Sequence, residues 1–447
     1  MPAIKNPDDF RRYLTDFCSR DGSQDIAAYD KAADASGRAD GAYGAEGTDF
    51  SGDCRRTAVT VSSDTGVRYF TNSFWTAKQR QASSIHEISY RACFKPQLPH
   101  FFIDLLTDEG DTVYDPFTGR GTTVIEAALM KRRIISNDIN PLSRILCKPR
   151  LFVPQPDEIA ERLADIFKNA ERYLKKSDFT PELPMFYHPA TEYEIAVLTN
   201  YLKTREDSGN SDRIDDWIRM TATNRLTGHS KGFFSVYTLP PNQAVSIESQ
   251  IKINEKRSQI PEYRDVAALI LKKTGNLVKS LTAADMENLK AAGSTARFLT
   301  RDACDTHEIA PSSVTLTVTS PPFLNIVQYS ADNWLRCRFN SLDAREIGEK
   351  ITMSSSLAEW CGTMQAVFDE LYRITVSGGW VAFEVGEVRK GEVRLDESVI
   401  PLGHNSGFEC AGVLINEQDF TKTSQIWGIS NKKRGTNTNR IVVFYKK

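Results

Sequence analysis

The sequence predicts an α/β fold in which a mostly parallel sheet carries ligands at the carboxyl ends of its strands. Two segments support this prediction: VYDPFTGRGTT at Val113–Thr123 and VTSPPF at Val318–Phe323. Each begins as an apolar strand pattern and ends in a turn, and the first turn runs directly into the helical pattern VIEAALMKRR. Open α/β sheets place ligands outside the carboxyl ends of their strands, so both turns are candidate positions for a site.

The segment around the glycine turn has the pattern of a βαβ unit. We predict a strand at Asp111–Asp115, a helix at Thr122–Arg133 and a second strand at Ile134–Pro141. Asp138, at the end of the second strand, lies roughly 20 residues beyond the glycine turn. A glycine turn of this kind lets the backbone approach a ligand, and the helix that follows offers free N–H groups.

The bulk properties indicate an ordinary soluble globular chain. The 447 residues are 40% hydrophobic and 26% charged, and the formal net charge is −2, so any surface for nucleic acid must be a local patch. No run approaches the ~18 apolar residues of a membrane span, and the amino terminus has no signal-peptide core. The eight cysteines are scattered without a CxxC pair. We therefore expect reduced thiols in a cytoplasm, no metal site and no membrane partner.

Composition and periodicity divide the chain into four predicted segments. Residues 1–60 form an amino-terminal, partly flexible segment that begins with a short amphipathic helix, and its Asp21–Asp53 stretch is poor in large aliphatic residues. Residues 61–150 are the first part of the α/β domain. Residues 151–295 have helical periodicity and are predicted to be an insertion between strands of one sheet. Residues 296–447 form the second part, which ends in NRIVVFYKK, a terminal strand pattern of alternating character.

The glycine turn alone does not decide which nucleotide is bound. A dinucleotide-binding turn has the pattern GxGxxG, but position 124 is Val, so the third glycine is missing. A nicotinamide-dependent dehydrogenase would also need a hydride-transfer partner, and the sequence offers none.

The complete motifs are more specific. DPFTGRGTT at Asp115–Thr123 resembles the cofactor-binding motif, DPFxGxGTT, of S-adenosylmethionine-dependent amino methyltransferases that act on DNA. TSPPF at Thr319–Phe323 resembles their catalytic motif, and FKPQLPHFFIDLL at Phe94–Leu106 is similar to the segment that precedes their cofactor strand. The resemblance covers about Tyr90–Asn140 and Ala296–Lys447. It implies the Rossmann-like sheet of class I methyltransferases, with S-adenosyl-L-methionine as the cofactor.

The same resemblance implies a set of cofactor-binding residues. Asp138 would accept hydrogen bonds from the ribose hydroxyls, Asp302 would lie near the exocyclic amine of adenine, and Lys95 with Pro96 would line the methionine end. Asp138 could instead be a turn or capping residue, Asp302 a solvated loop residue and Lys95 a surface lysine. The remaining cofactor-binding positions belong to the glycine motif: Asp115, Pro116, Phe117, Gly119, Gly121 and Thr122.

The tetrapeptide Ser320, Pro321, Pro322 and Phe323 carries the predicted chemistry. The lone pair of an exocyclic amine is delocalised into the base, which makes the amine a poor nucleophile. Acceptors for its protons, the Ser320 side chain and the Pro321 carbonyl, favour a pyramidal nitrogen. The two prolines hold these acceptors in place before substrate binds, and Phe323 offers a face on which a flipped-out base can stack. The methyl group is expected to move by direct displacement, without a covalent enzyme intermediate.

The resemblance implies a site-specific DNA methyltransferase, and Ser320 bears on the choice of base. Methylation of cytosine carbon 5 requires a Pro-Cys dipeptide, and the sequence has none. The family uses Ser-Pro-Pro mostly with cytosine and Asp- or Asn-Pro-Pro mostly with adenine. We therefore expect N4-methylcytosine as the product, with N6-methyladenine as the alternative. An RNA base methyltransferase and a non-catalytic DNA-binding module of the same fold are further alternatives.

Recognition of double-stranded DNA is expected to come from the helical insertion. Its segment RMTATNRLTGHSKGFFSVYTLPPNQ interleaves aromatic residues with polar and basic ones suited to phosphate and base contacts, although the segment could simply pack on its own helices. The family implies a bacterial restriction-modification setting, a cognate restriction endonuclease as a further partner, and a cytoplasmic enzyme that joins the nucleoid when bound to DNA. The predicted DNA-binding residues are Arg219, Arg225, His229 and Lys231.

Overall fold

The structure is a computed structural model of the 447-residue chain. It describes residues 3–19, 58–63, 65–75, 82–91, 93–238, 244–322, 329–351, 354, 356–388, 393–416 and 439–447. The segment Asp21–Asp53, predicted to be flexible, and Phe323 lie outside the described residues.

A nine-stranded sheet forms the centre of the described structure, with the order β1-β2-β10-β11-β7-β6-β3-β4-β5. A separate two-stranded hairpin consists of β8 and β9. The strands are β1 (Ala58–Val61), β2 (Arg68–Asn72), β3 (Thr112–Asp115), β4 (Arg133–Asn137), β5 (Arg297–Leu299), β6 (Val314–Thr319), β7 (Thr375–Val385), β8 (Glu387–Val388), β9 (Val393–Arg394), β10 (Glu409–Asn416) and β11 (Asn439–Tyr445).

The five strands β5, β4, β3, β6 and β7 are parallel neighbours, and β11 runs antiparallel between β7 and β10. After β3 the chain forms β4 and β5, which lie on one side of β3. The next strand, β6, lies on the opposite side of β3, where Val113 pairs with Leu316. The order therefore reverses between β3 and β6, which is where such sheets bind ligands. This topology confirms the predicted Rossmann-like α/β fold.

Helices pack on both faces of the sheet. Val113 and Tyr114, which are successive residues of β3, belong to different buried clusters because neighbouring strand residues point to opposite faces. No helix among the described residues is both long and apolar enough to cross a membrane. The helices are α1 (Pro7–Ser19), α2 (Gln97–Leu106), α3 (Thr122–Leu129), α4 (Leu142–Cys147), α5 (Pro156–Lys168), α6 (Ala170–Tyr173), α7 (Pro189–Asp207), α8 (Arg213–Thr223), α9 (Ile247–Arg257), α10 (Val266–Val278), α11 (Ala283–Thr295), α12 (Tyr329–Phe339), α13 (Ala344–Lys350), α14 (Leu357–Ile374) and α15 (Leu395–Asn405).

The chain between β4 and β5 forms helices α4 to α11 in its described part. These helices pack against one another and against the sheet domain. Trp217 of α8 is fully buried and donates to the hydroxyl of Thr274 on α10 at 3.0 Å, and the hydroxyls of Ser84 and Ser280 are 2.8 Å apart. This helical segment therefore has its own buried contacts and is also hydrogen bonded to the segment that precedes the cofactor strand.

Two details of the sequence prediction were wrong. The helix predicted to reach Arg133 ends at Leu129, because Lys131 adopts a left-handed φ of 64° and Arg133 already begins β4. The terminal strand was predicted to alternate, but β11 is buried continuously from Arg440 to Phe444. It lies between β10 and β7, and a strand covered on both faces reads as a continuous apolar run.

Candidate active site

The glycine turn between β3 and α3 needs glycine at two positions for different reasons. Gly119 and Gly121 have φ values of 53° and 82°, in the left-handed region that favours glycine. A Cβ on Gly121 would lie 2.6 Å from Sγ of Cys147 and 2.9 Å from Nη2 of Arg150. A Cβ on Gly119 would find its nearest neighbour, Sγ of Cys93, at an ordinary 3.6 Å. Gly121 thus permits close packing on the core, whereas Gly119 lines the cleft beside the turn.

Arg120, between the two glycines, points into the protein. Its guanidinium donates to the carbonyl oxygens of Ile88 at 2.9 Å and Phe94 at 3.2 Å, and its Nε donates to the hydroxyl of Thr122 at 3.1 Å. The side chain is buried. Arg120 therefore fixes one wall of the cleft relative to the glycine turn, and it leaves the turn's backbone free to face a ligand.

Asp138 follows β4 and is joined to the glycine turn. Its Oδ2 accepts from the Gly119 backbone N–H at 2.7 Å, and its Oδ1 accepts from the Asn140 N–H at 2.9 Å. Desolvation raises the pKa of this carboxyl to about 6, against the two backbone hydrogen bonds that lower it. Each carboxylate oxygen retains a second acceptor position, so the cleft presents a pair of free acceptor sites at Asp138.

Asp115 and Thr319 join the two motifs. They end the neighbouring strands β3 and β6, and the Thr319 hydroxyl donates to Oδ1 of Asp115 at 2.6 Å. The same oxygen accepts from the Phe117 N–H at 3.1 Å. Asp115 is almost completely buried, and burial raises its pKa to about 7 in spite of these hydrogen bonds. The carboxyl ends of β3 and β6 are therefore held in direct contact.

The substitution Asp115→Asn is expected to stabilise the ligand-free protein more at pH 8 than at pH 5. The folded-state pKa of Asp115 is raised to about 7, whereas the unfolded value is about 3.9. The stabilising contribution of the protonated carboxyl is thus complete below about pH 3.9 and is lost as the pH rises through 7. Asn stays neutral, and its carbonyl oxygen can still accept from Thr319.

Calorimetric Tm values at the two pH values would measure this difference. Asp16→Asn, the same change on an exposed residue of α1, serves as the control and should shift Tm equally at both. An equal shift for Asp115→Asn at pH 5 and pH 8 would contradict the expectation.

Ser320 follows Thr319 at the end of β6 and lines the cleft. Its hydroxyl is hydrogen bonded to the carboxylate of Glu384, which lies near the end of the neighbouring strand β7. Glu384 also accepts a hydrogen bond from the side-chain amide of Asn439. Desolvation raises the pKa of Glu384, and the Ser320 and Asn439 bonds partly oppose that shift. Because the Ser320 proton is donated to Glu384, the lone pairs of Oγ remain for another donor.

The two prolines lead away from Ser320 and are held by a tryptophan. Pro321 is buried and Pro322 is half-buried. The indole Nε1–H of Trp360, on α14, donates to the Pro322 carbonyl at 3.0 Å. Trp360 is itself 3% exposed and lines the same cleft.

A cleft with about 1040 Å³ of empty space, part of it open to solvent, lies over the two strand ends. Asp302 lines it, and its Oδ1 accepts from the Cys304 N–H at 3.1 Å. Apolar side chains such as Phe117, Met364 and Val367 supply the other wall. The predicted site residues that line the cleft are Asp115, Pro116, Phe117, Gly119, Thr122, Asp138, Asp302, Ser320 and Pro322.

Four predicted site residues in the described part of the chain are not among those that line the cleft: Lys95, Pro96, Gly121 and Pro321. Pro96 is buried at the start of α2, and the neighbouring Cys93 and Phe94 line the cleft in its place. Lys95 is half-buried, and desolvation together with the nearby Arg120 charge lowers its pKa. Gly121 and Pro321 lie just behind the residues that face the cleft.

The four predicted DNA-binding residues separate into two pairs. Arg219 forms an ion pair with Glu206 at 2.9 Å. The guanidinium of Arg225 lies 4.0 Å from the ring centre of Phe233, and burial lowers its pKa to about 10. His229 and Lys231, by contrast, are exposed. The structure thus uses the two arginines in packing and leaves the other two side chains at the surface.

No group of three or more His, Cys, Asp or Glu side chains that could hold a metal ion occurs in the part of the chain that the structure describes.

Residues 52–143 match the protein family described as DNA methylase, N6_N4_Mtase. Over these residues the chain is similar to the N6/N4 DNA methylase family. The matched segment contains β3, the glycine turn, β4 and Asp138. S-adenosyl-L-methionine is the cofactor that this similarity indicates, and two features of the cleft fit it: the free acceptor sites of Asp138 and the apolar wall that includes Phe117.

Three proteins similar to this chain are Type II methyltransferases. M.MvaI from Kocuria varians is 29% identical over 133 residues, which cover 29% of this chain and 25% of the relative. M.MjaII from Methanocaldococcus jannaschii is 22% identical over 231 residues, covering 48% and 44%. M.BsoBI from Geobacillus stearothermophilus is 38% identical over 72 residues, covering 16% and 14%. The chain thus spans less than half the length of each of these relatives.

Sequence reasoning missed two residues that contact the Ser-Pro-Pro segment in this cleft, Glu384 and Trp360. A carboxylate within the apolar strand GGWVAFEVG was a usable signal for Glu384, because buried carboxylates are rare unless they are partnered. The sequence does not distinguish Trp360 from the other apolar residues of its amphipathic helix.

Proposed function

We propose that this chain is a site-specific DNA methyltransferase that transfers a methyl group from S-adenosyl-L-methionine to the 4-amino group of cytosine. The observation that carries the proposal is the arrangement of Ser320. Ser320 lines the cleft, and its side chain is hydrogen bonded to the carboxylate of Glu384. A hydroxyl arranged in this way can act as an acceptor towards an amine.

Two acceptors of this chain would bind the substrate amine. The Ser320 Oγ and the Pro321 carbonyl would each accept one N–H, which favours a pyramidal nitrogen with an available lone pair. The cofactor, when bound, supplies a methyl group on a sulfonium: the S–CH₃ bond breaks, an N–CH₃ bond forms, and the nitrogen loses one proton. Ser320 lies between that nitrogen and Glu384, so it can receive the amine proton as its own proton passes to the carboxylate.

The cofactor would be held by residues from both strand ends. Asp138 would accept from the ribose hydroxyls through its two free acceptor sites. The adenine would lie between Phe117 and the residues around Asp302, and the backbone at Gly119 would face the remainder of the cofactor. These assignments are supported by the shared cleft and by the fixed position of the Asp138 carboxylate.

Double-stranded DNA would be contacted by the helical insertion near the mouth of the cleft. Further along the same insertion, the Ala244 N–H donates to the Asp332 carbonyl at 3.0 Å. Asp332 also forms an ion pair at 2.6 Å with Arg91, which lines the cleft. We assign phosphate contacts to the exposed His229 and Lys231 rather than to the half-buried Arg225. The Type II relatives also support a cognate restriction endonuclease as a proposed partner.

Sequencing the DNA of a host that expresses the protein would test the activity and the base together. We expect N4-methylcytosine in one short sequence context, and its absence from a matched host that expresses Ser320→Ala. The method must distinguish N4-methylcytosine from N6-methyladenine.

The outcomes separate the alternatives. N6-methyladenine in a defined context would overturn the choice of cytosine and retain the DNA methyltransferase. Methylated bases found only in RNA, or no methylated base with cofactor still bound, would overturn the proposed function.

A further inference from the structure

We propose that Trp360 is a positioning residue for methyl transfer. Its indole N–H holds the carbonyl of Pro322 and thereby sets the direction of the preceding carbonyl, that of Pro321, towards the substrate amine. This inference rests on the proposed function, because the Pro321 carbonyl is one of the two acceptors assigned there.

The tryptophan is well placed to act as a fixed point. It lies in the first turn of α14, where the Ser356 hydroxyl accepts from the Glu359 N–H at 3.2 Å and caps the helix. Its ring is 3% exposed and belongs to the same buried cluster as Met364 and Phe383 of the sheet. A capped helix start and a buried ring leave the indole little freedom to rotate.

The Pro-Pro dipeptide depends on such an outside anchor. Neither proline has a backbone N–H, so their carbonyls are the polar backbone groups through which Pro321 and Pro322 can be held. Ser320 and Pro321 each precede a proline, which restricts both to extended conformations. Successive carbonyls of such a segment point in different directions, so fixing one of them fixes the other.

The two carbonyls have different surroundings. The Pro322 carbonyl is bound by Trp360 at 3.0 Å, whereas no donor among the described residues bonds to the Pro321 carbonyl. The hydroxyl of Ser320 is anchored separately by Glu384. Glu384 and Trp360 therefore anchor the two ends of Ser-Pro-Pro, and the middle carbonyl is left available for the amine.

Trp360→Phe tests this inference, because it keeps an aromatic ring and removes the N–H. With the full-length protein, saturating cofactor and its cognate duplex, we expect the single-turnover methylation rate to fall roughly 3- to 10-fold, the effect of one hydrogen bond. The Kd for S-adenosyl-L-methionine, measured by calorimetry without DNA, should change less than about twofold. Trp217→Phe is the matched control: it removes another buried indole N–H, 3.0 Å from Thr274 and outside the cleft, and should leave the rate unchanged.

Two results would overturn the inference. One is a wild-type rate for Trp360→Phe; the other is a weakened cofactor Kd with an unchanged rate at saturation, which would make Trp360 only a wall of the cleft. If the wild-type protein methylates no nucleic acid, the proposed function fails instead. In that case, crystal structures of the wild-type protein and of Trp360→Phe, each with cofactor, test the inference. A Pro322 carbonyl that changes direction in Trp360→Phe supports the proposed role of the indole N–H, and an unmoved carbonyl contradicts it.

Discussion

Ser320→Ala is expected to lower the rate of methyl transfer by about 100-fold or more, while cofactor affinity stays within about twofold of wild type. In the proposed mechanism the hydroxyl supplies one acceptor for the substrate amine and the link through which a proton reaches Glu384, and a positioned proton-transfer group typically contributes ~10²–10⁴-fold. Single-turnover assays on the cognate duplex, together with calorimetric cofactor titration, would measure the two quantities separately.

Loss of the hydroxyl also leaves Glu384 with one hydrogen-bond partner fewer, so a folding defect must be distinguished from a chemical one. The double variant Ser320→Ala/Glu384→Gln removes the buried charge and should remain inactive while recovering any lost Tm. Ser143→Ala deletes a buried hydroxyl that has no hydrogen-bond partner among the described residues and should be fully active. An active Ser320→Ala protein would exclude Ser320 from the chemistry.

Gly119→Val is expected to weaken binding of S-adenosyl-L-methionine by at least about tenfold. The residue lines the cleft at a φ of 53°, so valine introduces both backbone strain and two methyl groups beside the ligand. Forcing extra methyl groups into a fitted space costs ~1–3 kcal/mol, and ~1.4 kcal/mol corresponds to a factor of ten. Calorimetric titration of the purified variant with the cofactor would measure the change.

A second glycine separates strain from steric exclusion. Gly110 precedes β3 with a φ of 86°, and a Cβ added there would meet no atom within 4 Å. Gly110→Val should therefore lose stability through backbone strain and keep normal cofactor affinity. Equal affinity losses in the two variants, or normal affinity in Gly119→Val, would remove Gly119 from the cofactor site.

The parts of the site that the sequence predicted are those encoded by local patterns. The strand–turn–helix around Gly119 and the carboxylate at Asp138 follow from residue order within about 25 positions, and the pairing of the two motifs follows from the rule that places ligands at a reversal of strand order. Both features are present in the structure. The identity of the bound base does not follow from any such rule, and it stays a prediction that depends on Ser320.

The rest could not be predicted because it depends on contacts between distant segments. Glu384 and Trp360 reach the tetrapeptide only after α14 and β7 have packed beside β6. Arg225 has the same sequence appearance as a phosphate-binding arginine, but the fold of its own loop places it over the ring of Phe233. The continuous burial of β11, by contrast, is consistent with its own apolar run at residues 441–444, because its successive residues pack into clusters on opposite faces of the sheet.

The hydrogen bond between Asp115 and Thr319 has a consequence for how the protein is made. The two residues are 204 positions apart, and at ~5–20 residues per second a ribosome needs about 10–40 s to synthesise the intervening chain. Throughout that interval the glycine turn has been translated, yet β6, which supplies Ser320 and one side of the cleft, does not exist. The cleft is therefore completed late in translation, when the second part of the sheet reaches the first.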